Sequence, residues 1–273
     1  MRILSIQPEP VIEIPYLNAG RGPGAFYEDR LPILVGSVDR LPDGVDEILA
    51  TGDLQGRERF EESDGGPIRL LGEVLPARLE DEILPNLGLP SSQKTGVFLA
   101  GDFYTVPSLD KRGGSGDVTT VWQAFGNCFA WVAGVAGNHD TFGSKPETSP
   151  RFSGDLHYLD GDRKNIAGLK VADIGGIIGN PKRPRRRSED DYLRLIESLL
   201  QHRTDVLLMH DGPNSLIHSL SGSSRMREVI EQLRPKLVVR GHAHWNIPLV
   251  ELAGGVQVLN VDARVVVLRE RGA

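Results

Sequence analysis

The sequence predicts an α/β fold on three observations. Short apolar runs rich in Val, Ile, Leu and Ala recur along the chain, amphipathic helical segments alternate with them, and several runs stop abruptly at Gly followed by a polar residue. The runs cover residues 47–51, 97–100, 131–136, 169–174, 206–209 and 237–239, and their near-continuous hydrophobicity suits strands buried on both faces. Two more, 256–261 and 264–268, flank Asp262-Ala263, which predicts a hairpin. Among the helices, residues 188–201 place Tyr192, Leu195, Ile196, Leu199 and Leu200 at helical spacing, with Ser188 and Asp191 set as a capping box. Residues 225–233 line up Met226, Val229, Ile230 and Leu233 ahead of a stop at Pro235. Two further helices are expected over about 69–83 and 118–125, whereas residues 7–31 show no clear period.

A chain of 273 residues can bury one full core, and no Ser- or Gly-rich linker divides it. One domain over 1–273 is therefore expected, with the motifs inside about 47–268 and an N-terminal extension, 1–45, of no evident role. The net charge of −6 opposes general binding to duplex nucleic acid. Cys128 is the only cysteine, which excludes an intrachain disulfide and a thiolate metal cluster. No long apolar stretch is present, so neither a signal peptide nor a membrane span is expected, and the cytoplasm is the expected location. The sequence does not fix an oligomeric state.

The chemistry gathers where the runs end. Residues 47–51 lead into Gly52-Asp53-Leu54-Gln55, 97–100 into Gly101-Asp102, and 131–136 into Gly137-Asn138-His139-Asp140. Residues 206–209 end at His210, and 237–240 lead into Gly241-His242-Ala243-His244. One Gly-Asp pair is ordinarily a turn, and one His at a strand end is ordinarily packed. Here Asp, Asn or His closes every one of these segments, and four of the seven His of the chain fall within them. In an extended segment His242 and His244 would face the same side. Carboxylate, amide and imidazole together suit two hard or borderline divalent cations.

This order of motifs resembles the calcineurin-like metallophosphoesterase family, whose pattern runs D-x-H, G-D, G-N-H-[DE], H and G-H-x-H. The resemblance implies two packed mixed β-sheets flanked by helices, a four-layer sandwich. It implies hydrolysis of phosphoesters, mono- or diesters, by a hydroxide activated between two divalent cations, Mn foremost and Fe, Ni, Zn or Mg as alternatives. By the same resemblance Asp53 and His244 hold the first metal, with Gln55 where the family usually has His. Asp102 bridges both metals, and Asn138, His210 and His242 complete the second. His139 is the proton donor facing the substrate, with Asp140 orienting its ring. Two cations roughly 3.5–4 Å apart would screen the phosphate charge, and His139 would protonate the leaving alkoxide.

A phosphorylated small molecule, a nucleotide or a nucleic-acid end is the expected substrate. The alternative is a catalytically weak metal-binding scaffold or interaction protein on the same fold, favoured by Gln55 and opposed by His139. The basic run 182–187 offers Arg185, Arg186 and Arg187 as a phosphate clamp, though a solvated loop ahead of the Ser188 helix explains it as well. Gly113-Gly114-Ser115-Gly116 reads as a loop near the site, and Tyr104, Trp245 and Asn246 as aromatic and polar neighbours of the motifs.

Overall fold

The structure is a computed structural model that describes residues 1–22, 25–58, 68–89, 91–111, 113–143, 145 and 149–271. Side-chain parity along the strands builds its layers. In the strand Arg264–Glu270, Val265 and Val267 join one apolar cluster while Val266 and Leu268 join another. The strand Thr95–Leu99 divides in the same way, Val97 and Leu99 facing one side and Phe98 the other. Successive residues of a strand point to opposite faces, so a run that is apolar throughout must be covered twice.

The first cluster is closed by the helices Leu71–Arg78 and Thr119–Cys128 through Leu71, Leu75, Val121, Trp122 and Phe125. The second also contains Val206, Leu208, Leu237 and Val239, so it fills the space between two sheets. Their neighbours Leu207, Met209 and Val238 face a third cluster, closed by the helices Glu189–Leu200 and Ser224–Leu233. Helices, sheet, sheet and helices thus stack in four layers, the architecture the family resemblance implies.

Among the described residues one sheet has nine strands and the other six. In the larger sheet Glu47–Gly52, Thr95–Leu99 and Trp131–Gly134 run parallel side by side. In the smaller sheet Val206–Met209 and Leu237–Arg240 are likewise parallel neighbours. Parallel strands bring their carboxyl ends to one edge, and the motif residues follow those ends. Helix Glu189–Leu200 starts where expected, the Ser188 hydroxyl accepting from the Asp191 N–H at 3.2 Å. The segment expected as a helix over 69–83 is helical in two forms, the α-helix Leu71–Arg78 and a wider π turn over Leu79–Ile83 that follows Pro76.

Two expectations are corrected. Residues 256–261 and 264–268 form no hairpin: Gln257–Asn260 lies in the smaller sheet, and Arg264–Glu270 pairs with Glu47–Gly52 in the larger one. The turn at Asp262-Ala263 carries the chain from one sheet to the other, because both runs are apolar on both faces and each needs neighbours on each side. Nor are residues 1–45 an appendage. Tyr27–Val38 lies parallel to Arg264–Glu270, with Ile12–Asn18 and Ile3–Ile6 paired to it. Pro15, Pro32 and a charged start, Glu28-Asp29-Arg30, hide the strand period in the sequence.

Candidate metal centre

At the carboxyl edge Asp53, Gln55, Asp102, His139, His242 and His244 line one cavity of about 540 Å³. Asn138 and His210 lie buried, His210 with no exposed surface. Asp53, Asp102 and His242 have left-handed backbone, with φ of 53°, 58° and 66°. That conformation costs a residue with a Cβ on the order of 1–2 kcal/mol, so something must hold it. Asp53 Oδ2 accepts from the His242 N–H at 2.8 Å, and Asp102 Oδ1 from the His139 N–H at 2.8 Å. Each carboxylate thereby ties its own loop to another motif. The motif glycines make room for this: a Cβ on Gly137 would stand 1.9 Å from Asp102 Oδ1, and one on Gly241 would stand 2.2 Å from Asp53 Oδ2. His242 and His244 do reach the same cavity, but through this turn and not through extended alternation.

Asp102, His210 and His242 each offer a ligand atom, and these atoms lie within 4.8 Å of one another. The His210 Nδ1–H donates to the Ala100 carbonyl at 2.7 Å, which leaves its Nε2 lone pair facing inward. That Nε2 lies 3.2 Å from Asp102 Oδ2 with no hydrogen-bond geometry, and Asn138 Oδ1 is also buried without a partner among the described residues. Ligand atoms of Asp102, His210 and His242 gathered this closely fit a cation, which would take the place of the proton that Asp102 and Asp53 draw onto His210. The His210 and His242 rings stand 5.0 Å apart between centroids.

Electrostatics agree. Burial pushes the Asp53 carboxyl well above the usual carboxylate range, and the Asp102 and Asp262 charges add to that against the pull of His210. Burial also raises Asp140. Burial works on Asp102 in the same direction, but the facing His210 outweighs it and holds that carboxyl below its ordinary value. For His210, burial favours the neutral ring, yet Asp102 and Asp53 together push it up to about 10. So much buried negative charge must bind protons or a metal ion.

The other side of the cavity differs. Gln55 Nε2 donates to Asp102 Oδ2 at 3.3 Å. His244 has 68% of its side chain exposed, and its Nδ1 meets Asp262 Oδ2 at 2.9 Å, which turns Nε2 to the cavity. A carboxylate behind a His is the common way to fix the tautomer and orientation of a metal-binding ring. In the sequence Asp262 reads as a turn residue only. The signal that marks the other motifs, a carboxylate at the end of an apolar run, is present there as well.

His139 lies near the centre, its Nε2 4.0 Å from Asp102 Oδ2. Asp140 does not orient its ring as expected. The Asp140 carboxylate instead accepts from the backbone N–H groups of Asp102, Phe103 and Gly137 at 2.8–2.9 Å, while His139 Nδ1 is buried without a partner among the described residues. Asp140 staples two ligand loops together, since three converging backbone donors hold a carboxylate better than one ring does. Gly113 lies over the His139 ring and shares the cavity wall.

The three arginines are corrected too. Arg185 donates to the Asp140 carbonyl at 2.6 Å and to the Tyr158 hydroxyl at 2.8 Å, and its guanidinium covers the Phe142 ring at 5.1 Å. Arg187 binds the Gly175 carbonyl at 2.8 Å and Asp160 at 2.9 Å. Arg186 pairs in a short ladder with Ile177, and none of the three lines the cavity. Arg185 braces the His139 loop at Asp140, and Arg186 and Arg187 hold the segment around residues 175–178. Trp245 is likewise fully buried, beneath Arg240 in the outer core. Tyr104 packs on Gly114 and Gly116. Among the described residues the cavity wall contains instead Tyr16, Asn18, Tyr27 and Asp29, from the segment that had no clear period.

The fold and the Asp, Asn and His side chains gathered at this edge are those of the metallophosphoesterase class. The family model described as calcineurin-like phosphoesterase matches residues 47–246, and the chain belongs to that family. Among solved structures, the crystal structure of TT1561 of Thermus thermophilus is similar, with 16% identity and a TM-score of 0.51 over 79% of this chain and 88% of that one. A hypothetical protein from Thermus thermophilus matches with 15% identity and a TM-score of 0.41 over 78% of this chain and 75% of that one. The first shows the fold alone, and the second is too distant to carry an argument. No curated protein matches the chain. Among the described residues no helix is long and apolar enough to cross a membrane.

Proposed function

We propose that the chain hydrolyses a phosphomonoester or phosphodiester of a nucleotide, a nucleic-acid end or a phosphorylated small molecule, with two divalent cations, Mn²⁺ foremost. The observation that carries this reading is the convergence of Asp102, His210 and His242, whose ligand atoms lie within 4.8 Å of one another. Asp102, Asn138, His210 and His242 would hold one cation, and Asp53, Gln55, Asp102 and His244 the other. Bound cations supply Lewis-acid neutralisation of the phosphate and lower the pKa of water. The residues supply the rest. Asp102 fixes the centre by joining both sides, and the Asp140 staple keeps its loop against that of Asn138 and His139. His139, on the cavity wall, donates a proton to the departing alkoxide.

A scaffold reading draws on one contact, the Gln55 amide donating to Asp102 where a stronger ligand would stand. One experiment separates the two. Exhaustive chelation, checked by elemental analysis, should abolish hydrolysis of aryl phosphate mono- and diesters, and Mn²⁺ should restore it. Full activity without metal overturns the metal mechanism, and no activity with any metal or ester favours the scaffold.

A further inference from the structure

Part of the cavity wall belongs to the N-terminal strands, where Tyr16, Asn18 and Asp29 form a hydrogen-bonded trio beside Tyr27 and Arg30. Asp29 Oδ2 accepts from the Tyr16 hydroxyl at 3.1 Å and from Asn18 Nδ2 at 2.9 Å, and Asp29 Oδ1 accepts from the Arg30 N–H at 2.9 Å. Asn18 Nδ2 also reaches the Tyr16 oxygen at 3.3 Å, and Asn18 Oδ1 accepts from the Ala19 N–H at 2.8 Å, which fixes the sense of the amide. The Tyr16 hydroxyl proton is therefore used inside the trio. A carboxylate offers about four lone-pair sites and a phenol oxygen two, so acceptor capacity remains. Burial, with the Asp29 charge behind it, keeps the proton on the Tyr16 phenol.

The trio is rigidly joined to the metal loop. Tyr16 is 4% exposed, and Asn18 pairs with Gly56 of the strand Gly56–Arg57, one residue beyond Gln55. A Cβ on Gly56 would meet the Tyr16 ring at 2.3 Å, so only glycine lets the two segments close. Tyr16, Asn18 and Asp29 share their cavity with Asp53, Asp102 and His139.

We propose that Tyr16 and Asp29 form the subsite for the alcohol half of the substrate, and that they select a phosphoester whose alcohol carries hydroxyl donors, a sugar or polyol. This rests on the hydrolase reading only in taking a phosphoester as the ligand.

Isothermal titration in Mn²⁺ buffer tests it with ribose 5-phosphate, propyl phosphate and phosphoethanolamine as probes. The wild-type protein should bind ribose 5-phosphate about tenfold or more tightly than propyl phosphate, as one hydrogen bond to a charged acceptor implies. Asp29→Asn should collapse that ratio while keeping the size of the side chain, and Tyr16→Phe should reduce it less. Circular dichroism checks the fold of both variants. Equal wild-type affinities, or a ratio unmoved by Asp29→Asn, overturn the proposal, and a gain confined to phosphoethanolamine overturns the sugar assignment. Turnover of the matching aryl esters is read separately. Preference without turnover sinks the hydrolase reading alone, and turnover without preference sinks this subsite alone.

Discussion

Asp102 divides the centre into two unlike halves. Behind it, His210 is buried beside His242 with its Nε2 3.2 Å from Asp102 Oδ2, and Asn138 Oδ1 is buried without a partner among the described residues. In front of it, His244 has 68% of its side chain exposed, and Gln55 offers its amide nitrogen to the Asp102 carboxylate. The rear half has His210 in the core and its Asp102 and Asn138 loops stapled together by Asp140. The front half is held by hydrogen bonds among loops. A site whose ligands are fixed before binding loses little ordering entropy, so the rear half should bind its cation more tightly. The front half should be the one that tuning can change.

The comparison can be broken most forcefully at the residue both halves share. Asp102→Asn should abolish measurable turnover and empty both cation positions while circular dichroism stays native. Retention of one cation per chain, measured by elemental analysis, would show that Asp102 serves one half only. His139→Ala comes next. Loss of a general acid should lower kcat roughly 10²–10⁴-fold with both cations retained. A variant that loses metal in proportion to activity would place His139 among the ligands.

Smaller effects should fall on the front half alone. Asp262→Ala removes the carboxylate behind His244 and should weaken the looser of two Mn²⁺ affinities roughly 10–100-fold, as loss of a ligand-orienting carboxylate does. If the tighter affinity moves instead, the two halves have been assigned the wrong way round. The smallest change is expected at Gln55. Gln55→His should tighten the weaker site by no more than about tenfold, most clearly for Zn²⁺ or Ni²⁺, because imidazole suits late metals better than amide oxygen. Gln55→Ala should loosen it further. Identical titrations for all three proteins would leave Gln55 as a hydrogen-bond donor to Asp102 and nothing more.

The same division separates what the residues announce from what they conceal. Glu47–Gly52, Thr95–Leu99 and Val206–Met209 are legible because a strand buried on both faces has to be apolar throughout. The motifs after them are legible because chemistry restricts which side chains can bind a cation, and spacing in the chain preserves their order. Asp140 and the Arg185–Arg187 run are legible as charges but not as contacts. A carboxylate at that spacing can reach a ring or three backbone N–H groups, and only the approach of the Gly101 turn to the Gly137 turn settles which.

The residues alone therefore determined an alternation of strands and helices and the segment ends at which Asp, Asn and His gather, since hydrophobic period and residue order are local properties, and the family resemblance carried by those motifs implied the four layers. The tertiary structure decided the rest. It carried Asp262 across from one sheet to the other to stand behind His244, and it laid Ile12–Asn18 and Tyr27–Val38 beside Arg264–Glu270 to build the far wall of the cavity. Pairing between strands more than 200 residues apart depends on which exposed edge and which uncovered face remain after the core has formed, and no window of sequence contains that choice.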